Sequence, residues 1–325
     1  MKELAYGGFL PLELNPGIER FAFWEKDLQR FNTVKAALDS VIRHLNCPLI
    51  RVPYYYCPST LEAIRRTGAE VRLYHIDDEL MPVDLPDEAG SAIMLVNFFG
   101  VMEDRIAELA RRFEKATVIV DNAHAFFADP LSPETTFNVY SAKKFFGVPD
   151  GAYLIGPQHK DDELPPACGA DYAGFLLTSY EQGTNAAYQE KKRVDDLLSA
   201  SYGGMSALAC GLLKNVDYDR VRKARAENFA VMKETFAAIN ALALPADCPA
   251  YLFPLYLPGR GEALKKSLIG EKIYAPTLWN GPDLLSNGTS FELSLAKDTV
   301  FLPIDQRYER QDMSHIINRV KEYLK

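Results

Sequence analysis

The sequence predicts an α/β protein with a mostly parallel central sheet, and three observations support this. Short apolar runs alternate with amphipathic stretches from about residue 33 to residue 155. Some runs, such as Ala92–Asn97, are continuously apolar, which is typical of strands buried on both faces of a parallel sheet. Beyond about residue 245 the pattern changes to mixed strands and helices. We therefore expect a large domain with right-handed crossovers and a smaller C-terminal α+β domain.

The first helix is predicted from Thr33 to Leu45, because its apolar residues recur at helical spacing and Asn32 or Thr33 suits its N-cap. The same patterns predict the rest of the large domain, with strands at 48–53, 70–76, 92–97, 117–120, 137–140 and 152–155, and helices at 59–66, 103–113, 187–200 and 218–240. Residues 157–186 lose the pattern and are rich in Pro, Gly and Asp, so we expect an exposed loop there.

Three regions follow from these changes in pattern. Residues 1–30 contain several Gly and Pro residues without periodicity and are expected to form an N-terminal arm. The large domain is predicted at 31–240 and the small domain at 241–325. The small domain is expected to contain strands at 250–257, 272–278 and 300–304, and helices at 262–268 and 311–324.

Charge and composition disfavour several classes of function. The net charge of −8 argues against a nucleic-acid surface, which needs basic residues. No apolar run approaches the roughly 20 residues of a membrane span, and the first residues do not resemble a signal peptide. The five cysteines form no CxxC pair, which indicates reduced thiols in a cytoplasmic protein. The histidines have no metal-ligand spacing, so no metal site is expected.

Two apolar runs are each followed by polar residues that could act together in one ligand-binding site. One run leads into Asp121, with His124 three residues on, and another leads into Ser141, with Lys144 three residues on. Ligands of open α/β sheets bind at the carboxyl ends of the strands. Pyridoxal phosphate (PLP) needs a lysine for its Schiff base and an acid beside its pyridine nitrogen. The two strand ends therefore indicate a PLP site.

Each of these residues also has an ordinary structural interpretation. Lys143 and Lys144 are adjacent, so one must be chosen for the Schiff base, and both could instead form a solvated turn. Asp121 could be a helix N-cap, and His124 could be a capping or core histidine. Ser141 and the glycines that follow the lysines favour the functional interpretation.

Two further stretches are weaker candidates for contacts with a cofactor. The turn that precedes the first helix could hold a phosphate, because the N-terminus of a helix attracts anions. There Thr33 offers a hydroxyl and Lys35 a charge. The aromatic run Tyr54–Tyr56 follows a strand and could cover a cofactor ring by stacking, although ordinary packing is about as plausible.

Together these stretches resemble the DegT/StrS-type sugar aminotransferase family, which has the aspartate-aminotransferase-like fold (fold type I). The resemblance covers roughly residues 30–325 and depends on four motifs, Asn32-Thr-Val-Lys-Ala-Ala-Leu38, Val52-Pro-Tyr-Tyr-Tyr56, Asp121-Asn-Ala-His124 and Ser141-Ala-Lys-Lys144. Three positions depart from the family pattern. Val34 replaces the glycine of the phosphate turn, Cys57 falls where an aromatic often stacks on the ring, and Pro149-Asp-Gly-Ala152 replaces a glycine-rich turn. These departures indicate a divergent branch.

The resemblance implies a role for each candidate residue. Lys144 would be the Schiff-base lysine, Asp121 the partner of the pyridine nitrogen, and His124 the neighbour of the phenolic oxygen. Ser141 would be a phosphate ligand. The remaining cofactor-binding candidates are Thr33, Val34, Lys35 and Tyr56.

The function that the resemblance implies is PLP-dependent transfer of an amino group from an amino acid such as glutamate to a keto-sugar nucleotide. The pathway would be polysaccharide or secondary-metabolite biosynthesis, and the enzyme would be a homodimer. Two alternatives are a PLP enzyme of another reaction type, such as dehydration, and a non-catalytic PLP-fold protein that binds a sugar nucleotide or a partner. A nicotinamide enzyme is disfavoured, because no GxGxxG follows an early strand.

Overall fold

A seven-stranded sheet lies at the centre of the large unit, and its strand order is β1-β7-β6-β5-β4-β2-β3. The computed structural model describes residues 8–157, 164, 165 and 167–325. The strands are β1 (Leu28–Phe31), β2 (Leu49–Pro53), β3 (Glu70–Tyr74), β4 (Ser91–Val96), β5 (Thr117–Asn122), β6 (Phe137–Ser141) and β7 (Ala152–Ile155). Strands β2 to β6 pair in parallel, whereas β7 is antiparallel to both β6 and β1. The predicted mostly parallel sheet is confirmed.

The inner strands are buried on both faces. Every residue of β2, β4, β6 and β7 is buried, which explains why most of their residues are apolar. Strand β3 lies at the edge and alternates exposed and partly buried residues. Because the middle of these strands is buried, a ligand can reach their polar groups only at the ends of the strands.

The helices surround the sheet and extend beyond it. They are α1 (Val34–Leu45), α2 (Pro58–Arg66), α3 (Glu103–Ala110), α4 (Gly174–Gln182), α5 (Tyr188–Ser199), α6 (Ala207–Lys214), α7 (Tyr218–Phe236), α8 (Gly261–Gly270), α9 (Pro282–Asn287), α10 (Ser290–Asp298) and α11 (Arg310–Leu324). Helix α1 begins as predicted, because the Thr33 hydroxyl accepts a hydrogen bond from the Ala36 N–H at 3.1 Å. Across the described ranges, no helix has the length and apolarity needed to cross a bilayer.

A second, smaller core lies around a two-stranded antiparallel sheet of β8 (Phe253–Tyr256) and β9 (Thr299–Leu302). Helices α7, α8 and α11 pack their apolar faces into this core. The predicted α+β unit is therefore present. Helix α7 precedes residue 240, yet its Phe229, Met232 and Phe236 belong to this core. The bounds 31–240 and 241–325 stay a prediction.

Three element predictions are wrong in part. The N-terminal arm contains β1, a short edge strand whose polar Gln29 and Arg30 hide its pattern. The loop predicted at 157–186 contains α4, in which only Phe175 is buried, so no apolar face marks the helix. Residues 158–163 and 166 of that loop lie outside the described residues.

The third error is the strand predicted at 272–278, where the structure has no strand in this described segment. The alternation of burial that is typical of a strand is present, since Ile273 and Ala275 are buried while Tyr274 between them is 54% exposed. No strand of the described residues pairs with the backbone of this segment. Alternating burial without a pairing partner does not make a strand.

Candidate active site

A cavity of about 210 Å³ lies where β4, β5 and β6 end, next to the beginning of α1. All but one of the residues predicted for the site converge there, from three separate places in the sequence. Those that line the cavity are Thr33, Val34, Lys35, Asp121, His124, Ser141 and Lys144. The remaining candidate, Tyr56, lies just behind the wall. The parallel register of β5 and β6 brings the strand ends together, because their carboxyl ends meet at one edge of the sheet.

Asp121 is held rigidly at the end of β5. Its Oδ2 accepts a hydrogen bond from the Tyr56 hydroxyl at 2.6 Å, and its Oδ1 accepts one from the Ala123 N–H at 2.8 Å. The side chain is buried, with 7% of the residue exposed. Two donors on a buried carboxylate satisfy it and fix its orientation toward the cavity.

Tyr56 does not line the cavity but contacts two residues that do, Asp121 through its hydroxyl and Trp279 through its ring. The residue is 2% exposed, and burial raises the pKa of its hydroxyl well above the ordinary value, with the neighbouring Asp121 acting in the same direction. The hydroxyl therefore stays protonated and donates to the carboxylate. Its predicted contact with a cofactor ring stays a prediction.

The two adjacent lysines have different surroundings. Lys143 Nζ donates to Asp195 Oδ1 at 2.9 Å in an ion pair with α5. Lys144 Nζ has no hydrogen bond to any part of the chain that the structure describes, and it lies 5.6 Å from the centroid of the Tyr251 ring. Burial lowers the pKa of Lys144, and the nearby Cys57 and Asp121 only partly oppose this. Lys144 is therefore the lysine whose amine is available.

His124 presents unsatisfied nitrogens at the cavity wall. Its ring lies between Trp279, with centroids 5.1 Å apart, and Tyr251, with centroids 5.0 Å apart. Both Nδ1 and Nε2 are buried, and neither has a hydrogen-bond partner among the residues described. Burial and then the charge of Lys144 lower the pKa of His124 well below its ordinary value. A neutral imidazole has one N–H donor and one acceptor, and a ligand in the cavity would satisfy them.

Gly100 fixes the backbone that supports His124. Its φ is +84°, and a Cβ there would lie 2.2 Å from the His124 carbonyl oxygen.

We expect Gly100→Ala to lower the free energy of unfolding by at least about 1–3 kcal/mol and to weaken PLP binding, because both the backbone and His124 must shift. Urea unfolding and a PLP titration would check this. Gly147→Ala is the control, since its Cβ would meet only Leu176 at 3.9 Å; equal losses in both variants would contradict the prediction.

The N-terminus of α1 makes the cavity suited to an anion, because the first turn of a helix has N–H groups without intrahelical partners. Thr33, Lys35 and Ser141 line the cavity with it. Lys35 Nζ donates to Ser199 Oγ of α5 at 2.8 Å, and burial lowers its pKa. Val34, the first residue of α1, also lines the cavity.

Several residues at the cavity were not predicted as site residues. Asn97 follows β4 in the same way that Asp121 lies at the end of β5. The expectation that polar residues at strand ends face a ligand could therefore have identified Asn97 from the sequence. Asp195 lies in α5, and Trp279 lies in the segment before α9. No local sequence pattern identifies either residue. Their positions depend on contacts between distant parts of the chain.

Comparison with known proteins agrees with this architecture. No protein-family model matches the sequence, and no curated protein matches it. Among solved structures, the sugar aminotransferase CalS13 from Micromonospora echinospora superposes with a TM-score of 0.65 at 17% identity, covering 93% of this chain and 90% of that one. The putative sugar aminotransferase Spr1654 from Streptococcus pneumoniae, in its PLP form, gives 0.66 at 15% identity, with 94% and 89% covered. A DegT DnrJ EryC1 StrS aminotransferase from Brucella abortus gives 0.62 at 15%, with 95% and 91% covered. The chain therefore has the fold that these aminotransferases share.

Proposed function

We propose that the protein is a PLP-dependent aminotransferase that moves an amino group from an amino acid such as glutamate to a keto-sugar nucleotide. The observation that supports this most is the convergence of Lys144 and Asp121 on one cavity beside the N-terminus of α1. When bound, PLP supplies an aldehyde carbon that accepts amino groups and a ring that takes up electrons.

The residues present fit PLP at three points of contact. The Asp121 carboxylate, fixed by Tyr56 and Ala123, suits a protonated pyridine nitrogen. The unpartnered His124 ring suits an oxygen on the cofactor ring. The N-terminus of α1, with Lys35 beside it, suits a phosphate.

Lys144 is proposed to bind the cofactor and to move the proton. A proton carrier must be able to lose its proton near neutral pH, and burial shifts its pKa in that direction. Lys143 cannot easily compete, because its ammonium is engaged by Asp195. The Asp121 carboxylate would contribute by keeping the pyridine nitrogen of the cofactor protonated, and the positive charge of that nitrogen lets the ring take up electrons.

The rate at which Lys144 captures PLP is expected to rise with pH. The neutral amine is the nucleophile, so the rate is expected to rise with pH and to level off below the ordinary lysine value, because burial lowers the pKa of Lys144. Stopped-flow absorbance of apoprotein mixed with PLP at several pH values would measure this. A rate that still rises above pH 10.5 would contradict the lowered pKa.

The substrates and the pathway are inferred from similarity to other proteins. A sugar acceptor is supported by the sugar aminotransferases that share the fold. The nucleotide moiety, glutamate as donor, a homodimer and a role in polysaccharide or secondary-metabolite synthesis are supported by the family resemblance that the four motifs carry. A cytoplasmic location is supported by the cysteines instead. All five cysteines are unpaired thiols, which is compatible with the cytoplasm.

The proposal is tested by adding PLP to the purified protein and recording the visible absorbance before and after borohydride. We expect a yellow protein whose cofactor becomes covalently attached on reduction. Incubation with glutamate should then release 2-oxoglutarate from unreduced protein. A colourless protein that takes up no PLP would overturn the proposal and favour a non-catalytic protein of this fold. Bound PLP without release of 2-oxoglutarate would point to another donor or another PLP reaction.

A further inference from the structure

Trp279 closes the cavity from the C-terminal part of the chain. Apart from His124, it is the one aromatic residue among the described lining residues, and all the others come from residue 199 or earlier. It lies in the irregular segment between α8 and α9. The indole therefore forms a wall that the large sheet does not supply.

The segment around Trp279 is fastened to the beginning of α2. The Tyr55 hydroxyl donates to the carbonyl oxygen of Leu278. Gly281 lies so close to Pro58 that a Cβ on the glycine would be 2.7 Å from the proline Cγ. These contacts hold the segment against the turn that contains Cys57.

An ion pair adds a third attachment a few residues further on. Arg65 of α2 donates two hydrogen bonds to the carboxylate of Asp283, at 2.9 and 2.6 Å. The position of Trp279 is thus fixed from both sides of the residue. A wall held in this way needs little rearrangement to meet a ligand, which lowers the cost of binding.

The indole of Trp279 packs against other aromatic rings and also lines the cavity. It contacts the rings of Tyr55 and Phe98, with centroids 5.3 and 6.4 Å away, and stacks on His124 at an interplanar angle of 23°. It remains 9% exposed. Cys57 lines the same cavity with a side chain too small to cover an aromatic ring.

We propose that Trp279 supplies the aromatic contact to the ring of the bound cofactor that the small side chain of Cys57 cannot make. The inference rests on the proposed function, since it requires a flat heteroaromatic ligand in the cavity. An aromatic ring in contact with another ring contributes binding beyond its buried area. By stacking on His124, the indole also holds the plane of the imidazole in place.

The experiment titrates apoprotein with PLP and records both the affinity and the visible circular dichroism of the bound cofactor. Trp279→Leu should bind PLP about tenfold more weakly and change the cofactor dichroism, whereas Trp279→Phe should stay close to the wild type. Cys57→Tyr in the Trp279→Leu background should restore much of the affinity, since it returns an aromatic ring to the lining of the cavity.

Phe98→Leu is the matched control. Phe98 packs against Trp279 and is 2% exposed, but it does not line the cavity. We expect this variant to unfold at lower urea concentration while its PLP affinity and dichroism stay unchanged. If Trp279→Leu does not fold, Trp279→Met replaces it, because the flexible methionine fills the space without a ring.

Two outcomes separate this inference from the proposed function. Wild-type protein that binds PLP at Lys144, with unchanged affinity and dichroism in the Trp279→Leu or Trp279→Met variant, would overturn the inference alone. Wild-type protein that binds no PLP would overturn the proposed function and the inference with it. Equal losses in the Phe98→Leu and Trp279→Leu variants would show that Trp279 acts only by packing.

Discussion

Lys144→Ala is expected to abolish covalent attachment of PLP on borohydride reduction and to lower the transamination rate by about 10²–10⁴-fold, the range of a positioned proton carrier. The amine of Lys144 lines the cavity, and no hydrogen bond within the described structure engages it. Alanine removes both the attachment point and the group that moves the proton. Peptide mass mapping after reduction would locate the attached cofactor, and single-turnover kinetics would measure the rate.

Lys143→Ala is the matched control for this experiment. Its side chain differs from that of Lys144 chiefly in its ion pair with Asp195. We expect the variant to keep covalent attachment at Lys144, with at most a modest loss of affinity for PLP. Attachment that persists in Lys144→Ala but disappears in Lys143→Ala would reverse the assignment of the two lysines.

Asp121→Asn is expected to leave PLP binding detectable but to lower the transamination rate by about 10²–10³-fold, which is typical for the loss of a preorganised electrostatic contact. Asparagine keeps the shape, and its Oδ1 can still accept the hydrogen bond from the Ala123 N–H. Its Nδ2 can only donate, so the contact with the Tyr56 hydroxyl must reverse its direction. It loses the negative charge that keeps the pyridine nitrogen protonated. The measurement is kcat with glutamate, together with the visible spectrum of bound cofactor across pH.

The control for Asp121 is another buried carboxylate outside the cavity. Asp150 is fully buried, its Oδ1 accepts a hydrogen bond from the Ser206 N–H at 2.8 Å, and it does not line the cavity. Asp150→Asn should change stability without changing the cofactor spectrum. A rate loss in Asp150→Asn as large as that in Asp121→Asn would refute a specific role for Asp121 at the pyridine nitrogen.

The strand-end motifs were predictable because their logic is local. An apolar run followed by Asp121, or by Ser141 and Lys144, marks the end of a buried strand and the polar groups that leave it. The parallel sheet then brings such ends to one edge. Thr33 was predictable for the same reason, since an N-cap is defined by its immediate neighbours. Local chemistry in the sequence was thus enough for the fold class and for the strand-end and helix-cap residues Asp121, Ser141, Lys144 and Thr33 of the cavity.

The sequence by itself determined the fold class, the order of most elements and the meeting of Lys144 with Asp121. Only the tertiary structure decided which lysine is free, because the partner of Lys143 is Asp195 on a helix about 50 residues away. It also placed Tyr56 behind Asp121 and Trp279 beside Cys57. These positions depend on packing between segments far apart in the sequence, and local periodicity carries no information about such contacts.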